Sequence, residues 1–408
     1  MEVLYSRCAG LDVHKQTVVA CARVASGSTV HQDVRTFGTT TGELVALADW
    51  LTAHGCTHVA MESTGVYWKP IWHVLEDQFA LVLANALQVR SVPGRKTDVN
   101  DAMWIADLLA HGLIRASFVP PAPVQELRDL TRTRKQLVRE VAQHTLRIQK
   151  VLEDANLKLT SVLSDVLGMS GRAMIEAIIR GETNPDRLAD LSRGRLKASR
   201  AAVRAALQGR VTPHHRFLLR LHLTHIDTLE TAVREVEVRL GEALVPFQAA
   251  VDRLMTIPAV GPTVARVIVA EIGLDMRRFP TAGHLVSWAG LCPRLDESAG
   301  KRRSTRTRRG APWLKTALVQ AAWVAARTRN TYLHAQFLRL KSRRGPKKAI
   351  LAVAASMLTA AYYILQNETT YAELGGDYFE RRDKTQIARR LVKRLESLGL
   401  TVEIKPAA

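Results

Sequence analysis

The chain has 408 residues, enough for two or three domains rather than one, and a hydrophobic share of 47% allows a sizeable core. Its 58 Lys and Arg against 38 Asp and Glu leave a formal charge of +20 and an isoelectric point near 10.3. An excess of that size points to a polyanionic partner, with nucleic acid ahead of a membrane surface. Residues 1–10 lack the basic start and apolar run of a secretory signal. The most apolar stretch, 349–365, is Ala-rich, carries Ser356 and Thr359, and is short for a bilayer, so it reads as a buried helix. The four cysteines, Cys8, Cys21, Cys56 and Cys292, form no CxxC pair. They predict buried thiols in a reducing cytoplasm, with neither a zinc site nor a disulfide framework.

Three strands are predicted first, around 6–13, 17–23 and 30–37, from their alternating apolar pattern. A helix at 42–53, a short strand at 58–61, a helix at 66–76, a buried strand at 81–85 and a helix from about 98 to 112 follow. Three strands and then alternating helix and strand is the order of an RNase H-like α/β domain. From 124 to 157 the chain reads as a long charged helix. Its apolar stripe of Leu130, Leu137, Val141, Ile148 and Val151 is interrupted by Arg134 and His144. A second stripe, Ile226, Leu229, Val233, Val236, Leu240 and Ala243, keeps the 3–4 spacing, and the pair reads as a helical hairpin or coiled coil. Between them, 160–213 is a basic helical insert with Arg193, Arg195, Lys197, Arg200 and Arg204, either a solvated helix surface or a nucleic-acid contact. A further domain starts near Met255. It holds a turn at 256–262, a helix ending near Gly273, a basic loop at 302–309, helices at 312–327 and 346–366, a basic amphipathic helix at 384–397 and a strand at 401–405. The expected boundaries are 1–120, 121–250 and 251–408.

Four acids stand out. Asp12, in Gly10-Leu-Asp-Val-His14, ends the first strand, and Glu62 ends the strand 58–61. An acid at the end of a buried strand is costly unless a metal, a partner or solvent satisfies it, and sites in open α/β sheets form at such ends. Asp98 and Asp101 are three apart, so on a helix they share one face, with Ile105 and Leu108 facing the core. The pair also reads as an N-cap and a capping-box acid. As a set, the four oxygen donors suit Mg²⁺ or Mn²⁺, the ions that phosphodiester chemistry uses to polarise a phosphoryl oxygen.

Gly-Leu-Asp12-Val-His-Lys, Met-Glu62-Ser-Thr-Gly-Val-Tyr and Lys-Thr-Asp98-Val-Asn-Asp101-Ala resemble the motifs of the DEDD insertion-sequence transposases. That family includes Piv-type invertases and RNA-guided bridge recombinases. Ile257-Pro-Ala-Val-Gly-Pro262 and Ala289-Gly-Leu-Cys-Pro-Arg294, followed by Glu297-Ser298, extend the likeness, which thins out over 160–215. The resemblance implies a RuvC-like N-terminal domain, a coiled coil used in oligomerisation and a mainly helical C-terminal transposase domain. It implies a nucleophilic serine at Ser298, held covalently to a DNA phosphate, with the metal-bound acids of a partner subunit assisting. It further implies a homo-oligomer, dimer or tetramer, a structured non-coding guide RNA, and donor and target DNA. Base pairing would supply the specificity. Ala299 stands between Ser298 and Gly300 where many members have Gly directly, which leaves Ser304 as a competitor.

Read by itself, a serine in such a glycine-containing stretch is a turn residue; the resemblance makes it a nucleophile. Lys301, Arg302, Arg303, Arg306, Arg308 and Arg309 form the densest basic run in the chain, which together with Lys96 and Lys315 is expected to contact phosphates. The alternatives are a metal-dependent junction nuclease with no covalent step, or a non-catalytic nucleic-acid scaffold. Tyr67 and Trp68 are expected in the core.

Overall fold

The computed structural model describes residues 2–62, 65–85, 89, 101–194, 197–293, 296–304, 306–307, 310–382 and 384–403. The chain forms two compact units, Met1–Val119 and Pro120–Ala408.

In the first unit, β1 (Arg7–Val13), β2 (Thr17–Ser26) and β3 (Thr29–Gly38) form an antiparallel meander. Helix α1 (Thr41–Ala53) leads to β4 (His58–Glu62), which lies parallel to β1. Helix α2 (Trp68–Leu75) leads to β5 (Ala80–Ala84), parallel to β4. The sheet order is β3-β2-β1-β4-β5, which fits an RNase H-like arrangement. Central β1 and β4 are almost continuously apolar because both their faces are covered, while edge strand β3 is mostly exposed and buries only Phe37. Leu11, Val13 and Met61 pack with Leu44, Leu47, Ile71 and Leu75 of α1 and α2.

The opposite face is built of small side chains and carries α3 (Asp101–Ala110), which sets Ile105, Leu108 and Leu109 against Cys8, Ala60 and Ala84. Helix α3 is also held by charge. Arg23, 3% exposed in the middle of β2, donates from Nε to Asp107 Oδ1 at 2.7 Å, and Gln32 donates to the same oxygen. Tyr67 is exposed rather than in the core, whereas Trp68 packs edge-on against Trp72 beside that core.

The second unit is organised by two long helices, α4 (Ala122–Asp154) and α9 (Pro213–Leu244). They run antiparallel, since Glu126 pairs with Arg239, Arg134 with Glu237, His144 with His222 and Asp154 with His215. Thr212 caps α9 and Pro213 occupies its first turn, where no backbone N–H is needed. The residues that break the apolar stripe, Arg134 and His144, are those with polar partners on the opposite helix.

Each end of this pair is rooted in a different core. At one end, Ile148, Leu152, Leu219 and Ile226 pack with α5 (Leu159–Val162), α6 (Met169–Arg180), α7 (Pro185–Asp190) and α8 (Arg200–Ala206). The insert therefore has its own apolar interior, with Met174, Ile175, Ile178, Leu188 and Val203 buried. At the other end, Leu127, Leu240 and Leu244 join a core formed by α10 (Gln248–Met255), α11 (Pro262–Ile272), α12 (Ala282–Trp288), α13 (Pro312–Ala325), α14 (Tyr332–Arg344) and α15 (Pro346–Asn367). Glu271 of α11, 1% exposed, accepts from Arg132 Nε and Nη2 at 2.8 and 2.9 Å, tying α11 to α4.

Among the described residues, α15 is the one helix long and apolar enough to cross a membrane. Its Ile350, Val353, Met357, Leu358 and Tyr362 are buried in this core, as expected of a core helix. Two short helices, α16 (Tyr378–Arg382) and α17 (Lys384–Glu396), follow.

Two further expectations are corrected. Residues 401–403 take no strand structure, and the rest of that stretch lies outside the described residues. The basic run is not simply a loop, because it begins inside a hairpin of β6 (Asp296–Ser298) and β7 (Lys301–Ser304).

Candidate active site

Leu11 of β1 is paired with Met61 of β4, so Asp12 and Glu62 are the next residues on these two neighbouring parallel strands. Side chains alternate along a strand. Leu11 and Met61 face α1 and α2, while Cys8, Gly10 and Ala60 face α3. Asp12 and Glu62 therefore point to the α3 side, at the carboxyl ends of their strands. Glu62 is buried, at 8% exposure. Asp12 accepts from or donates to His14 Nε2 at 3.1 Å according to the proton on each; with an ionised Asp12 it accepts.

Helix α3 begins with Asp101 on this same face of the sheet. Its approach is set by Gly10, whose missing side chain leaves room for the Ala102 carbonyl and the Ala106 amide. Sequence reasoning missed Gly10 in this role, as it missed the Arg23–Asp107 pair. A charged residue inside the apolar run Val18-Val-Ala-Cys-Ala-Arg23 was the available signal.

Asp98 and Lys96 lie outside the described residues. Among the described residues, no group of three or more His, Cys, Asp or Glu side chains gathers closely enough to hold a metal ion. The donor chemistry nevertheless fits a hard divalent cation, since Asp12, Glu62 and Asp101 offer carboxylate oxygens alone.

Ser298 ends β6 and is paired with Lys301 across the two-residue turn Ala299-Gly300. Both turn residues have positive φ, 50° and 72°, the combination required by the tight hairpin turn whose twist matches the strands. The register shifts between Asp296 and Glu297, which pair with Ser304 and Arg302, so Arg303 is the extra residue of a bulge. The backbone thus places Ser298 at the lip of a hairpin whose other strand is Lys301-Arg302-Arg303-Ser304. The rival Ser304 is half-buried, and its Oγ accepts from the Arg306 amide at 3.2 Å.

Lys301 and Arg306 are exposed, while Arg308 and Arg309 lie outside the described residues. The base of the hairpin is fastened at three points. Thr307 bridges to Pro293, Lys315 Nζ donates to Thr307 Oγ1 at 2.9 Å, and Gly310 packs against Ala289 and Gly290 so closely that a methyl group there would lie 2.4 Å from the Ala289 carbonyl carbon. Burial pulls the Lys315 ammonium below the ordinary lysine value. This packing gives the Ala289-Gly-Leu-Cys-Pro motif a physical role as the seat of the basic hairpin.

The turn at 256–262 joins α10 to α11, with Ala259 at φ 68° and Gly261 as the exposed cap of α11.

Residues 9–157 match a family model described as a transposase of the DEDD IS110 type. Residues 251–338 match the model described as the transposase IS116/IS110/IS902 family. The two matches together cover more than half of the chain, the first including Asp12, Glu62, Asp98 and Asp101, the second Ser298 and Lys315. No curated protein matches the chain.

Proposed function

The chain belongs to the DEDD-type insertion-sequence transposases, enzymes that cut and join DNA, and from that premise we propose a phosphoserine mechanism guided by RNA. The observation that carries it is the placement of Asp12 and Glu62 side by side at the strand ends facing α3, in a chain that also presents Ser298 at the lip of a basic hairpin.

In this reading Ser298 Oγ attacks a scissile DNA phosphorus. The Oγ–P bond forms as the bond from phosphorus to the leaving deoxyribose oxygen breaks. A neighbouring carboxylate takes the serine proton, and the departing sugar oxygen is protonated to a hydroxyl. A hydroxyl of another DNA end then attacks the phosphoserine, and the serine oxygen leaves with its proton restored. The strand is rejoined with no net hydrolysis.

Asp12, Glu62, Asp98 and Asp101 would hold Mg²⁺ or Mn²⁺, which when bound polarises a phosphoryl oxygen and offsets charge developing in the transition state. Lys96, Lys301, Arg302, Arg303, Arg306, Arg308, Arg309 and Lys315 neutralise phosphates of DNA and of the guide RNA, Arg by its bidentate fork. In this reading the protein is a homo-oligomer, dimer or tetramer, in which the metal-bound acids of one subunit assist the Ser298 of another. The reading divides the chain into a RuvC-like domain (1–120), a coiled-coil region (121–250) and a transposase domain (251–408).

The test is to trap a protein–DNA adduct on a nicked donor substrate with the RNA and Mg²⁺ present, and to find the modified residue by mass spectrometry. The adduct is expected on Ser298, absent from Ser298→Ala and strongly reduced in Asp12→Asn and Glu62→Gln. Strand cleavage persisting in Ser298→Ala would mean that water is the nucleophile.

A further inference from the structure

A second basic surface lies beyond the end of the family match at residue 338. Helices α14, α16 and α17 enclose a cavity of about 1240 Å³. Arg339 and Arg343 reach it from α14, and Arg389, Arg390 and Lys393 from α17. The sequence positions explain the convergence. Arg339 and Arg343 are four apart on one face of α14, and Arg389, Arg390 and Lys393 cluster on one side of α17.

Two acids also line the cavity. Asp377 is engaged by Arg381 at 3.0 Å, and Glu380 is the other. Arg343, Arg389, Arg390 and Lys393 have no carboxylate within salt-bridge distance among the described residues, and all four are exposed.

Like charges four apart on a helix repel, and further cations facing them across a concave wall raise the local potential. Such an arrangement is relieved by an anion. The cavity is larger than the ~300–1,000 Å³ typical of a small-molecule site, and its cations are spread along two helices rather than focused on one point. The aromatic ring within reach, Phe379, has Arg339 4.8 Å over its centroid and Tyr332 stacked at 5.2 Å, so it is already occupied and offers no open platform for a base.

We propose that this groove is a phosphate-backbone site: the cations of α14 and α17 grip the phosphodiester chain of a nucleic acid by charge, without reading bases. The site rests on the transposase reading above and adds to it a contact surface separate from the Ser298 hairpin.

The test uses the full chain. Binding of a short duplex DNA and of a single-stranded RNA of equal length is followed by fluorescence anisotropy across a salt series. The triple variant Arg343→Gln, Arg389→Gln, Arg390→Gln is compared with a control triple of exposed cations elsewhere, Lys150→Gln, Arg180→Gln, Arg220→Gln. For duplex DNA, the groove triple is expected to flatten the slope of log affinity against log salt by about 2 to 3, and for a single strand by about 2, since each neutralised phosphate contributes roughly 0.9 or 0.7. Lysine at the same three positions restores the slope.

A loss confined to one probe assigns the groove to DNA or to RNA, and a loss with both assigns it to the backbone they share. An unchanged slope with both probes, or an equal loss in the control triple, overturns the groove. If the wild-type chain itself shows no salt-dependent binding to either probe, the nucleic-acid function fails and the groove with it.

Discussion

Gly10 on β1 lies directly beneath Ala102 of α3, so that a methyl group at Gly10 would sit 2.2 Å from the Ala102 carbonyl oxygen and 2.4 Å from the Ala106 nitrogen. Both obstacles are backbone, which cannot swing away as a side chain can. Gly10 is two residues before Asp12, and Ala102 is next to Asp101. The glycine therefore sets how closely the helix that starts with one acid rests on the strand that ends with another. Gly10→Ala is expected to lift α3 and to cost about 1–3 kcal/mol of stability through overpacking. DNA cleavage should fall by more than the lost stability explains. Thermal unfolding and cleavage rates measured on the same variant check this, and a variant with wild-type melting and wild-type cleavage would show that the close approach has no such role.

The thiols give an independent check on the sheet. Burial pushes the Cys8 and Cys21 thiols up to about 12 and the Cys56 thiol up to about 11. A thiol is reactive as thiolate, so all three are inert near neutral pH. Cys292, in contrast, is half-exposed beside the seat of the basic hairpin. Native protein should therefore take up one equivalent of an alkylating reagent quickly, at Cys292, and all four after denaturation. Rapid native labelling of Cys8 or Cys21 would mean that α3 does not cover that face.

Between the two cores of the second unit, His144 and His222 meet with Nδ1 atoms 3.2 Å apart, and the His225 ring lies 5.0 Å from that of His144. Desolvation, and then the charge of Arg147 and of His225, holds His144 below the ordinary histidine value. Desolvation followed by His144 does the same to His222. The folded state thus binds protons less readily than the unfolded chain. The stability of the α4–α9 pair is complete above the unfolded value near 6.5 and declines as pH falls from there toward the depressed folded values. Melting temperature should fall as the pH is lowered below about 6.5, and His144→Gln with His222→Gln should flatten that part of the profile. A profile equally steep in the double variant would place the titration elsewhere.

How much of this was legible in the sequence depends on the range of the interactions involved. The first three strands stood out by their alternating apolar pattern and β4 and β5 as short apolar runs, and Asp12 and Glu62 were visible as acids at strand ends. The α4–α9 pair was visible from its spacing. The interior of the insert was not, because Leu159, Met174, Leu188 and Val203 sit on four separate helices of 4 to 12 residues whose packing is tertiary, so the basic surface dominated the reading. Helix α14 escaped for a related reason: only Leu333 and Phe337 are buried, and Lys341, Arg343 and Arg344 fill its last turn. The β6–β7 hairpin escaped because Lys-Arg-Arg-Ser is a poor strand former, and its pairing is set by the turn and by the Ala289–Gly310 contact far off in sequence. Gly10 was conspicuous only as part of a motif, since its partner on α3 is some ninety positions away.

The turn beside Ser298 offers the sharpest test of the hairpin. Ala299 occupies a left-handed conformation, φ 50°, that costs an alanine about 1–2 kcal/mol and a glycine almost nothing. A glycine also gains entropy in the unfolded chain, about 0.4–1 kcal/mol against it. Ala299→Gly should therefore stabilise the hairpin by about 0.5–1 kcal/mol, slowing amide exchange at Lys301 by about two- to fivefold. Gly300→Ala should do the reverse, and for a conformational reason alone, because nothing lies within 4 Å of where its Cβ would be. If the lip of this hairpin presents the nucleophile, adduct formation should follow the same order, Ala299→Gly at or above wild type and Gly300→Ala below it. Exchange at Lys301 that is indifferent to both substitutions would remove the tight turn, and with it the argument that the backbone holds Ser298 at the strand end beside that turn.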